Sequence, residues 1–590
     1  MKTIKNHKHF YFDLGLFFLI YMAILITISM LLFFIGITIS PAHTLISLLL
    51  TILSFKMLKK ENILQITIIS IVIACLFIMI SGNVIDTSYD GNAYRKPMVG
   101  LLKEGWNPVY ETPEEFNAKL GSLPSDIGGY GGVSLWLWMD IFPKGMEVIE
   151  SSIYAITQNI ETGKAIQFFF ILVVFCFYYD YISTQHLNKI FSMGIAALMA
   201  LNPVFLSQMR TFYVDAALNH LVMIAVILII MFFDEEYFKG RRKQILLLMG
   251  ISIILSISIK FNGILYMGVC YLMFFGLYIF WVKKYQNNFN ISAIKVFASL
   301  AFSTVGSFII GFSPYITNYL RYKEFLPGIT GTLVPKVTGA FTPSTEGLAN
   351  FQIFLGMIFS KMGDFWDSQS LPLKIPFTFS KEELTFYYVH APHFGAYGIF
   401  FSGIFILSLL IVIIFLYKTK QILLQNKLLK ITVILITVLL FLCTIVPLGL
   451  GGLRYVGYFY MIVPFTLFLL LYYLGRNKTK LVCIVVIVFN MVIFLNIIPW
   501  AKVFIDTYKE SIKTNKDFSI ISQNAFENDK ILEVGFVRTP EEGCSGYLYN
   551  LKDYGIKCGK IVKTSDQSDK PIYYTCGWQI SFYLEDFLRE

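Results

Sequence analysis

The sequence predicts an α-helical polytopic membrane protein with about thirteen transmembrane helices, on the basis of its composition and its hydropathy pattern. Of the 590 residues, 56% are hydrophobic and 17% are aromatic, and the mean hydropathy is +0.65. These values exclude an ordinary soluble globular protein. About 20 apolar residues cross a hydrocarbon core of about 30 Å, and the runs of roughly this length are 14–38, 42–58, 63–82, 164–183, 187–206, 213–233, 244–259, 263–282, 293–313, 395–417, 431–449, 455–474 and 480–500.

The basic residues of the short links predict the orientation. Lysine and arginine are concentrated on one side of the predicted bundle, whereas the short links on the other side carry only Arg210, Lys260 and Arg454. Because basic links mark the cytoplasmic side, we expect a protein of the cytoplasmic membrane with its N-terminus inside and its C-terminus outside. The net charge of +10 then reflects this bias and an attraction to anionic membrane lipids, which is favoured over a nucleic-acid partner.

Three long segments interrupt the apolar pattern, and all three fall on the predicted outer side: 83–163, 314–394 and 501–590. Segments of this length are usually functional or disordered. Their aromatic residues and helical stretches favour ordered, amphipathic outer loops. In the first segment, Thr112 precedes Pro113 and two glutamates, which is the pattern of a helix start.

The third segment predicts a small α/β domain. Residues 531–537 and 572–575 have the pattern of short strands, and helices are expected over 501–513 and 579–589. A segment of roughly 75–90 residues buries only a modest core, so we expect it to pack on the membrane part. The predicted organisation is therefore a transmembrane domain and an extracytoplasmic C-terminal domain, over 1–500 and 501–590.

Two carboxylates, Asp86 and Asp90, stand just beyond the predicted span 63–82. A charge close to hydrocarbon is costly, so an acidic residue there is a functional candidate. Such a carboxylate can accept the proton of a hydroxyl that attacks an activated carbon, which is general base catalysis. The alternative is a structural role, with Asp90 or Ser88 capping the helix that follows.

The residues around Asp90 resemble a motif of the bacterial GT-C superfamily, which comprises polytopic glycosyltransferases that use polyprenyl-phosphate sugars. The resemblance rests on Asp90–Arg95 and Leu102–Pro108, which contains Gly-Trp-Asn-Pro. Ser207–Asp215 is similar to the family's short loop with Tyr-x-Asp, and Ser313–Tyr322 looks like the start of its long outer loop. The chain departs from the family at Arg95, where relatives often carry histidine, and in having two extra spans before the motif.

The resemblance implies an inverting glycosyltransferase of GT-C-like architecture over roughly the first 470 residues. The donor would be a polyprenyl-phosphate sugar, and the acceptor a cell-envelope glycan, a lipid-linked glycan or a protein. Alignment with the motif favours Asp90 as the general base, with Asp86 close enough to compete for that role. Enzymes of this type commonly need no metal, so no cofactor is implied.

A lipid-phosphate leaving group requires cations that stay charged, and arginine also offers a bidentate fork. The outer-side candidates for donor phosphate binding are Arg454, Lys260, Arg210 and Arg95. Arg454 and Tyr455 stand in a glycine-rich link and resemble an Arg-Tyr pair of the family. The alternative for these cations is ordinary snorkelling at the membrane interface.

The candidates for binding the acceptor or other parts of the substrate are Asp215, Tyr94, Tyr455, His390 and His393. Asp215 stands at the start of a span, where it could orient the acceptor, bind a metal or pair with Arg210. The two histidines, with Asp364 and Asp367 upstream, lack a metal-ligand pattern. We therefore expect solvated or acceptor-contacting loop residues and predict no metal site, although a divalent metal is compatible with this set.

Two other functions are compatible with the same features. An O-antigen-type polymerase or ligase also needs outer loops with arginine and a base, but the early aspartate motif fits it less well. A transporter or flippase of lipid-linked glycans is disfavoured, because the predicted spans carry few ionisable residues and show no repeated halves.

Overall fold

A computed structural model describes the protein over residues 9–130, 133–185, 187–234, 237, 241–285, 293–327, 345–363, 370–390, 393–418, 427–443, 449–476, 480–527, 532–536, 543–556, 558–563, 572–576 and 580–583. The fold is mostly helical, and every predicted span contains a helix. These helices are Phe10–Phe34, Pro41–Met57, Ile63–Gly82, Ala165–Ser183, Lys189–Ala200, Asp215–Phe233, Arg242–Ile259, Asn262–Tyr285, Ala293–Ile310, Phe401–Lys418, Lys427–Leu442, Ile462–Arg476 and Lys480–Glu527.

The membrane class predicted from the sequence is confirmed, whereas the number of spans stays a prediction. Within the described residues, seven helices are long and apolar enough to cross a membrane, or eight if Ile294–Ile310 and Phe312–Tyr322, bent by 62°, form one span. Other apolar helices are shorter. Lys189–Ala200, with 12 residues, extends only about 18 Å at 1.5 Å per residue, because the predicted span 187–206 breaks where Asn202 caps the short helix Pro203–Gln208.

The structure groups the predicted inner and outer links at opposite ends of the bundle. Near the start of the helix Phe10–Phe34, Lys60 Nζ lies 2.5 Å from Asp13 Oδ1 and 2.7 Å from Gln244 Oε1. At the other end of the same helix, Asn107 Nδ2 in the first outer segment donates to Phe33 O at 2.9 Å. Which of these ends faces the outside stays a prediction.

The described residues of the first outer segment, 83–163, form a layer over one end of the bundle. Its helices are Lys96–Glu104, Pro113–Leu120, Leu135–Ile141 and Gly145–Thr157. The helix start predicted at Thr112 is confirmed, because its side chain accepts from the Glu115 amide while Glu115 accepts from the Thr112 amide. Apolar and aromatic side chains of these helices, Trp106 and Trp136 among them, form one buried cluster. The second outer segment contributes the helices Asn350–Phe359 and Lys381–Thr385.

The C-terminal part begins inside a membrane helix. Lys480–Glu527 runs for 48 residues through Pro499, so the predicted boundary at position 500 and the predicted helix 501–513 lie within one continuous element. In the described part of the tail it is followed by the short helix Tyr547–Asp553 and by strands.

Two short strands of the first outer segment, β1 (Gly129–Tyr130) and β2 (Val133–Ser134), pair with each other.

The strands of the tail form a mixed sheet. The described strands of the tail are β3 (Leu532–Phe536), β4 (Cys558–Lys563), β5 (Ile572–Cys576) and β6 (Ile580–Tyr583). They have the order β4-β3-β6-β5, with β3 and β4 parallel and the other pairs antiparallel. The predicted strands at 531–537 and 572–575 are confirmed, whereas the helix expected over 579–589 is wrong where it is described, because residues 580–583 pair with β3 and β5.

Candidate active site

Asp90 stands at the start of an unusual helical turn. The helix Ile63–Gly82 ends, the chain crosses to Asp90, and Gly91–Arg95 then forms a π-helical turn that leads into the helix Lys96–Glu104. Single π turns within helices often occur at functional sites. Gly91 is required here, because a Cβ at this position would overlap the carboxylate of Asp86.

Asp86 is fully buried, and its carboxylate accepts hydrogen bonds from two backbone amides. Its Oδ1 accepts from the Ser88 amide at 2.7 Å, and its Oδ2 accepts from the Phe212 amide at 2.9 Å. Burial raises the pKa of the Asp86 carboxyl, an effect that the ammonium groups of Lys96 and Lys164 oppose. Asp86 therefore joins the first outer segment to the link before Asp215, and a substrate hydroxyl has no access to it.

Asp90 instead belongs to a partly accessible group of four charges, which we call the Arg454 cluster: Asp90, Asp215, Lys260 and Arg454. Arg454 Nη1 lies 3.4 Å from Asp90 Oδ2, and its Nε lies 3.7 Å from Asp215 Oδ2. Lys260 pairs with the other oxygen of Asp215. The side chains are 25% exposed for Asp90, 20% for Lys260, 13% for Arg454 and 6% for Asp215.

Aromatic rings line the cations of this cluster. Lys260 Nζ lies 4.2 Å from the centre of the Tyr455 ring, and Arg454 Cζ lies 5.2 Å from that of Tyr213. Such contacts stabilise cations that have lost part of their water. Burial, and then the charge of the neighbouring Asp90 carboxylate, raise the pKa of the Tyr94 hydroxyl well above the ordinary value.

The backbone around Arg454 is held by close packing. Gly452 has a φ of +54°, and a Cβ there would stand 2.7 Å from the carbonyl oxygen of His393. The Leu453 amide donates to this same oxygen at 3.4 Å, and Asn219 Nδ2 donates to Arg454 O at 3.0 Å. The backbone of His393 therefore supports the Arg454 link. His393 is buried, so the expectation of a solvated residue is wrong, whereas an acceptor contact stays a prediction.

Arg95 lies outside the cluster, although the sequence made it a phosphate-binding candidate. It is buried, pairs with Glu147 and lies 5.3 Å from the centre of the Phe142 ring. Burial lowers the pKa of Arg95, whereas the Glu147 carboxylate raises it, and the resulting pKa stands above the ordinary value. Its charge is already paired within the first outer segment.

Arg210 and His390 also lie apart from the Arg454 cluster. Arg210 donates to Tyr388 O at 2.7 Å and to Thr507 Oγ1 at 2.6 Å, and burial lowers its pKa to about 10. It ties the second outer segment to the long C-terminal helix. His390 Nε2 lies 3.3 Å from Thr87 Oγ1, and burial, then Arg210, lowers its pKa well below the ordinary value.

The expected alternative of an Asp215–Arg210 pair is wrong, because Asp215 faces Lys260 and Arg454. Its position at the first turn of the helix Asp215–Phe233 directs its carboxylate to cations from two other links. Asp364 and Asp367 lie outside the described residues. Among the residues that are described, no three or more His, Cys, Asp or Glu side chains are grouped so that they could hold a metal ion.

A buried set of charges behind the Asp90 turn was not anticipated from the sequence. Lys96 Nζ donates to Asn92 Oδ1 at 2.9 Å and to Glu161 Oε1 at 2.7 Å. Glu161 also pairs with Lys164 and accepts from the Asp86 amide at 3.2 Å. The signal available was the placement of Lys96 directly after the motif and of Glu161 and Lys164 one turn apart at the start of a span.

A scan against protein-family models, a search of curated proteins and a search of solved structures each found no match to this chain. The resemblance to the GT-C superfamily therefore rests on the quoted motifs alone.

Proposed function

We propose that the protein is an inverting, GT-C-type glycosyltransferase that moves a sugar from a polyprenyl-phosphate donor to an acceptor hydroxyl at the outer face of the cytoplasmic membrane. The observation that carries this proposal is the 3.4 Å approach of Arg454 Nη1 to Asp90 Oδ2, across 364 positions of sequence. It brings the candidate base beside the candidate phosphate ligand. Thirteen spans and an inner N-terminus would direct this end of the bundle outward.

Arg454 and Lys260 would bind the donor phosphate. Among the described residues, the buried Nε–H of Arg454 makes no hydrogen bond, and a buried donor without a partner is costly. The contact with Asp90, at 3.4 Å, is longer than a good charge-assisted hydrogen bond of about 2.7–2.9 Å. A phosphate can therefore replace Asp90 on the guanidinium fork while Asp215 keeps the two cations in place.

The reaction would proceed by direct displacement. Asp90 accepts the proton of the acceptor hydroxyl, whose oxygen forms a bond to the anomeric carbon. The bond from that carbon to the phosphate oxygen breaks, and its electron pair leaves with the polyprenyl phosphate, so the configuration inverts. A general base contributes about 10²–10⁴-fold, and the fixed charges of Arg454 and Lys260 stabilise the leaving phosphate as its negative charge develops.

The acceptor would approach from the side of Tyr94. The Tyr94 hydroxyl is close enough to Asp90 to be affected by its charge, whereas the Tyr455 ring contacts the cations Lys260 and Arg454. His390 contacts Thr87, three positions before Asp90, and would restrict the space through which the acceptor reaches Asp90. Asp86 takes no part in proton transfer and positions the turn through its two backbone contacts.

Sugar transfer by the purified protein in lipid nanodiscs, from a panel of polyprenyl-phosphate sugars, tests the proposal. We expect one donor to be turned over, and Asp90→Asn to lower kcat by about 10²–10⁴-fold. Glu114→Gln, an exposed acid of the same outer segment, is the matched control and keeps full activity. An Asp90→Asn variant with wild-type kcat contradicts the assignment. Polymer products would favour the polymerase, and glycolipid movement without transfer would favour the transporter.

A further inference from the structure

The C-terminal tail returns to the first outer segment and packs directly on the turn that follows Asp90. The Gly546 amide donates to Asn92 O at 2.7 Å, and Ser545 Oγ donates to Ala93 O at 3.4 Å. No Cβ fits at Gly546, because it would stand 2.8 Å from the Cα of Asn92. The tail thus contacts the backbone of the π-helical turn at two successive residues.

Asn550, a buried side chain of the same tail, supplies a hydrogen-bond acceptor to Lys96, the residue after the turn. Asn550 Oδ1 accepts from Lys96 Nζ at 2.9 Å, and its Nδ2 donates to Glu161 Oε1 at 2.8 Å. With Asn92 and Glu161, Lys96 then has three acceptors for its three N–H groups. Asn550 therefore satisfies both members of a fully buried ion pair.

Both ends of the short helix Tyr547–Asp553 are fixed on the first outer segment. Tyr549 Oη donates to Glu104 Oε2 at 3.0 Å, and its ring lies against Gly100, where a Cβ would overlap it. Asp553 accepts from the Ile160 amide at 2.7 Å and from the hydroxyl of Tyr154. The helix is consequently anchored before and after Asn550.

A π-helical turn benefits from such external support, because its backbone geometry is rare and is found mostly as single turns. Asp90 itself has a loose contact with Arg454 at 3.4 Å, so this contact alone does not fix it. We propose that the tail segment Gly543–Asp553 is a positioning element, which holds the turn Gly91–Arg95 and thereby the Asp90 carboxylate opposite Arg454. Its effect on catalysis rests on the proposed function, whereas its effect on the turn does not.

Hydrogen exchange of the full-length protein in nanodiscs tests the support of the turn. Gly546→Ala adds a methyl group against Asn92, and we expect the amides of 91–104 to exchange about 5- to 30-fold faster, the factor for a loss of about 1–2 kcal/mol. Gly268→Ala is the matched control, because nothing lies within 4 Å of its added Cβ. Unchanged exchange in a folded Gly546→Ala protein overturns the proposal.

A second pair of variants serves if Gly546→Ala does not fold. Asn550→Ala leaves Lys96 and Glu161 buried without one partner each, and we expect the same faster exchange in 91–104. Ser519→Ala is the matched control, because this exposed hydroxyl donates within its own helix, Lys480–Glu527, to Asn515 O at 3.0 Å, and it should leave exchange unchanged. Equal exchange in the Asn550 and Ser519 variants overturns the proposal.

Enzyme kinetics separate the failure of this proposal from the failure of the proposed function. If the wild type transfers sugar, Asn550→Ala should lower kcat and leave the KM for the donor unchanged, because the donor site at Arg454 and Lys260 is intact. A raised donor KM with unchanged kcat overturns the positioning role. A wild type that transfers no sugar, with faster exchange in the variants, supports the positioning element and removes only the glycosyltransferase.

Discussion

Replacing Arg454 with lysine tests the centre of the site while conserving its charge. The guanidinium reaches Asp90 through Nη1 at 3.4 Å and Asp215 through Nε at 3.7 Å. A lysine ammonium has a single nitrogen, so it cannot contact both carboxylates and also bind a phosphate in the bidentate way of a guanidinium. The substitution should therefore remove one charge-assisted contact in the free protein and the bidentate contact to a bound donor.

The expected loss of activity follows from the free energy that one such contact contributes. A hydrogen bond to a charged group contributes about 1.5–3 kcal/mol, and about 1.4 kcal/mol corresponds to tenfold in an equilibrium or rate ratio. Arg454→Lys should thus lower kcat/KM for the polyprenyl-phosphate donor by about 10- to 150-fold. The loss should appear both in the KM for the donor and in kcat, because Arg454 would bind the donor phosphate and stabilise the charge that develops on it.

The assay is steady-state sugar transfer in nanodiscs, with Arg321→Lys as the matched control. Arg321, in the second outer segment, is also a partly buried arginine, but it pairs with Asp140 of the first outer segment at 2.5 Å and not with a member of the Arg454 cluster. This control should keep its kcat/KM. Arg454→Lys activity within threefold of the wild type, or an equal loss in Arg321→Lys, would refute the reasoning.

Three further predictions concern stability. Asp86→Asn should lower the free energy of unfolding in denaturant by about 1–3 kcal/mol, since one backbone N–H loses its acceptor. Gly452→Ala should lower it by about 1–3 kcal/mol, because the added methyl meets His393 O; thermal unfolding measures this. Burial raises the pKa of Asp553 from 3.8 to about 6, so its contribution is full below pH 3.8 and is lost as pH rises through 6. Between pH 4 and pH 7 the free energy of unfolding should fall by about 2 kcal/mol relative to Asp553→Asn.

The helices of the membrane part could be predicted because hydropathy is a local property of the chain. The runs 63–82 and 213–233 match the helices Ile63–Gly82 and Asp215–Phe233 to within two residues. Local patterns also have local failures. The run 187–206 is apolar throughout, yet Asn202 accepts from the Phe205 amide and starts a separate helix, because a capping side chain competes with helix continuation in a way that a hydropathy average does not register.

The membership of the site was predictable in part, because topology assigns each link to one end of the bundle. Asp90, Asp215, Lys260 and Arg454 were all expected at the same end and do meet there. Their pairing was not predictable, since each partner belongs to a different link.

The failures at the site come from contacts made over long sequence separations. Arg95 is withdrawn from the cluster by Glu147, 52 positions away. The contact of Lys96 with Asn550 spans 454 positions. Nothing in the sequence next to either residue indicates its partner. A prediction from sequence that treats each cation as free to bind phosphate therefore names too many phosphate ligands.

Asp86 and Asp90 illustrate how burial separates two residues that the sequence treats alike. Both carboxylates follow the same membrane helix, four positions apart. Asp86 has both oxygens occupied by backbone amides, so a proton accepted on either oxygen would compete with a hydrogen bond. Asp90 has a long contact to one arginine and keeps a quarter of its side chain exposed. A general base must reach the proton that it accepts, so access, more than distance from the membrane helix, favours Asp90 for chemistry and Asp86 for the turn that carries it.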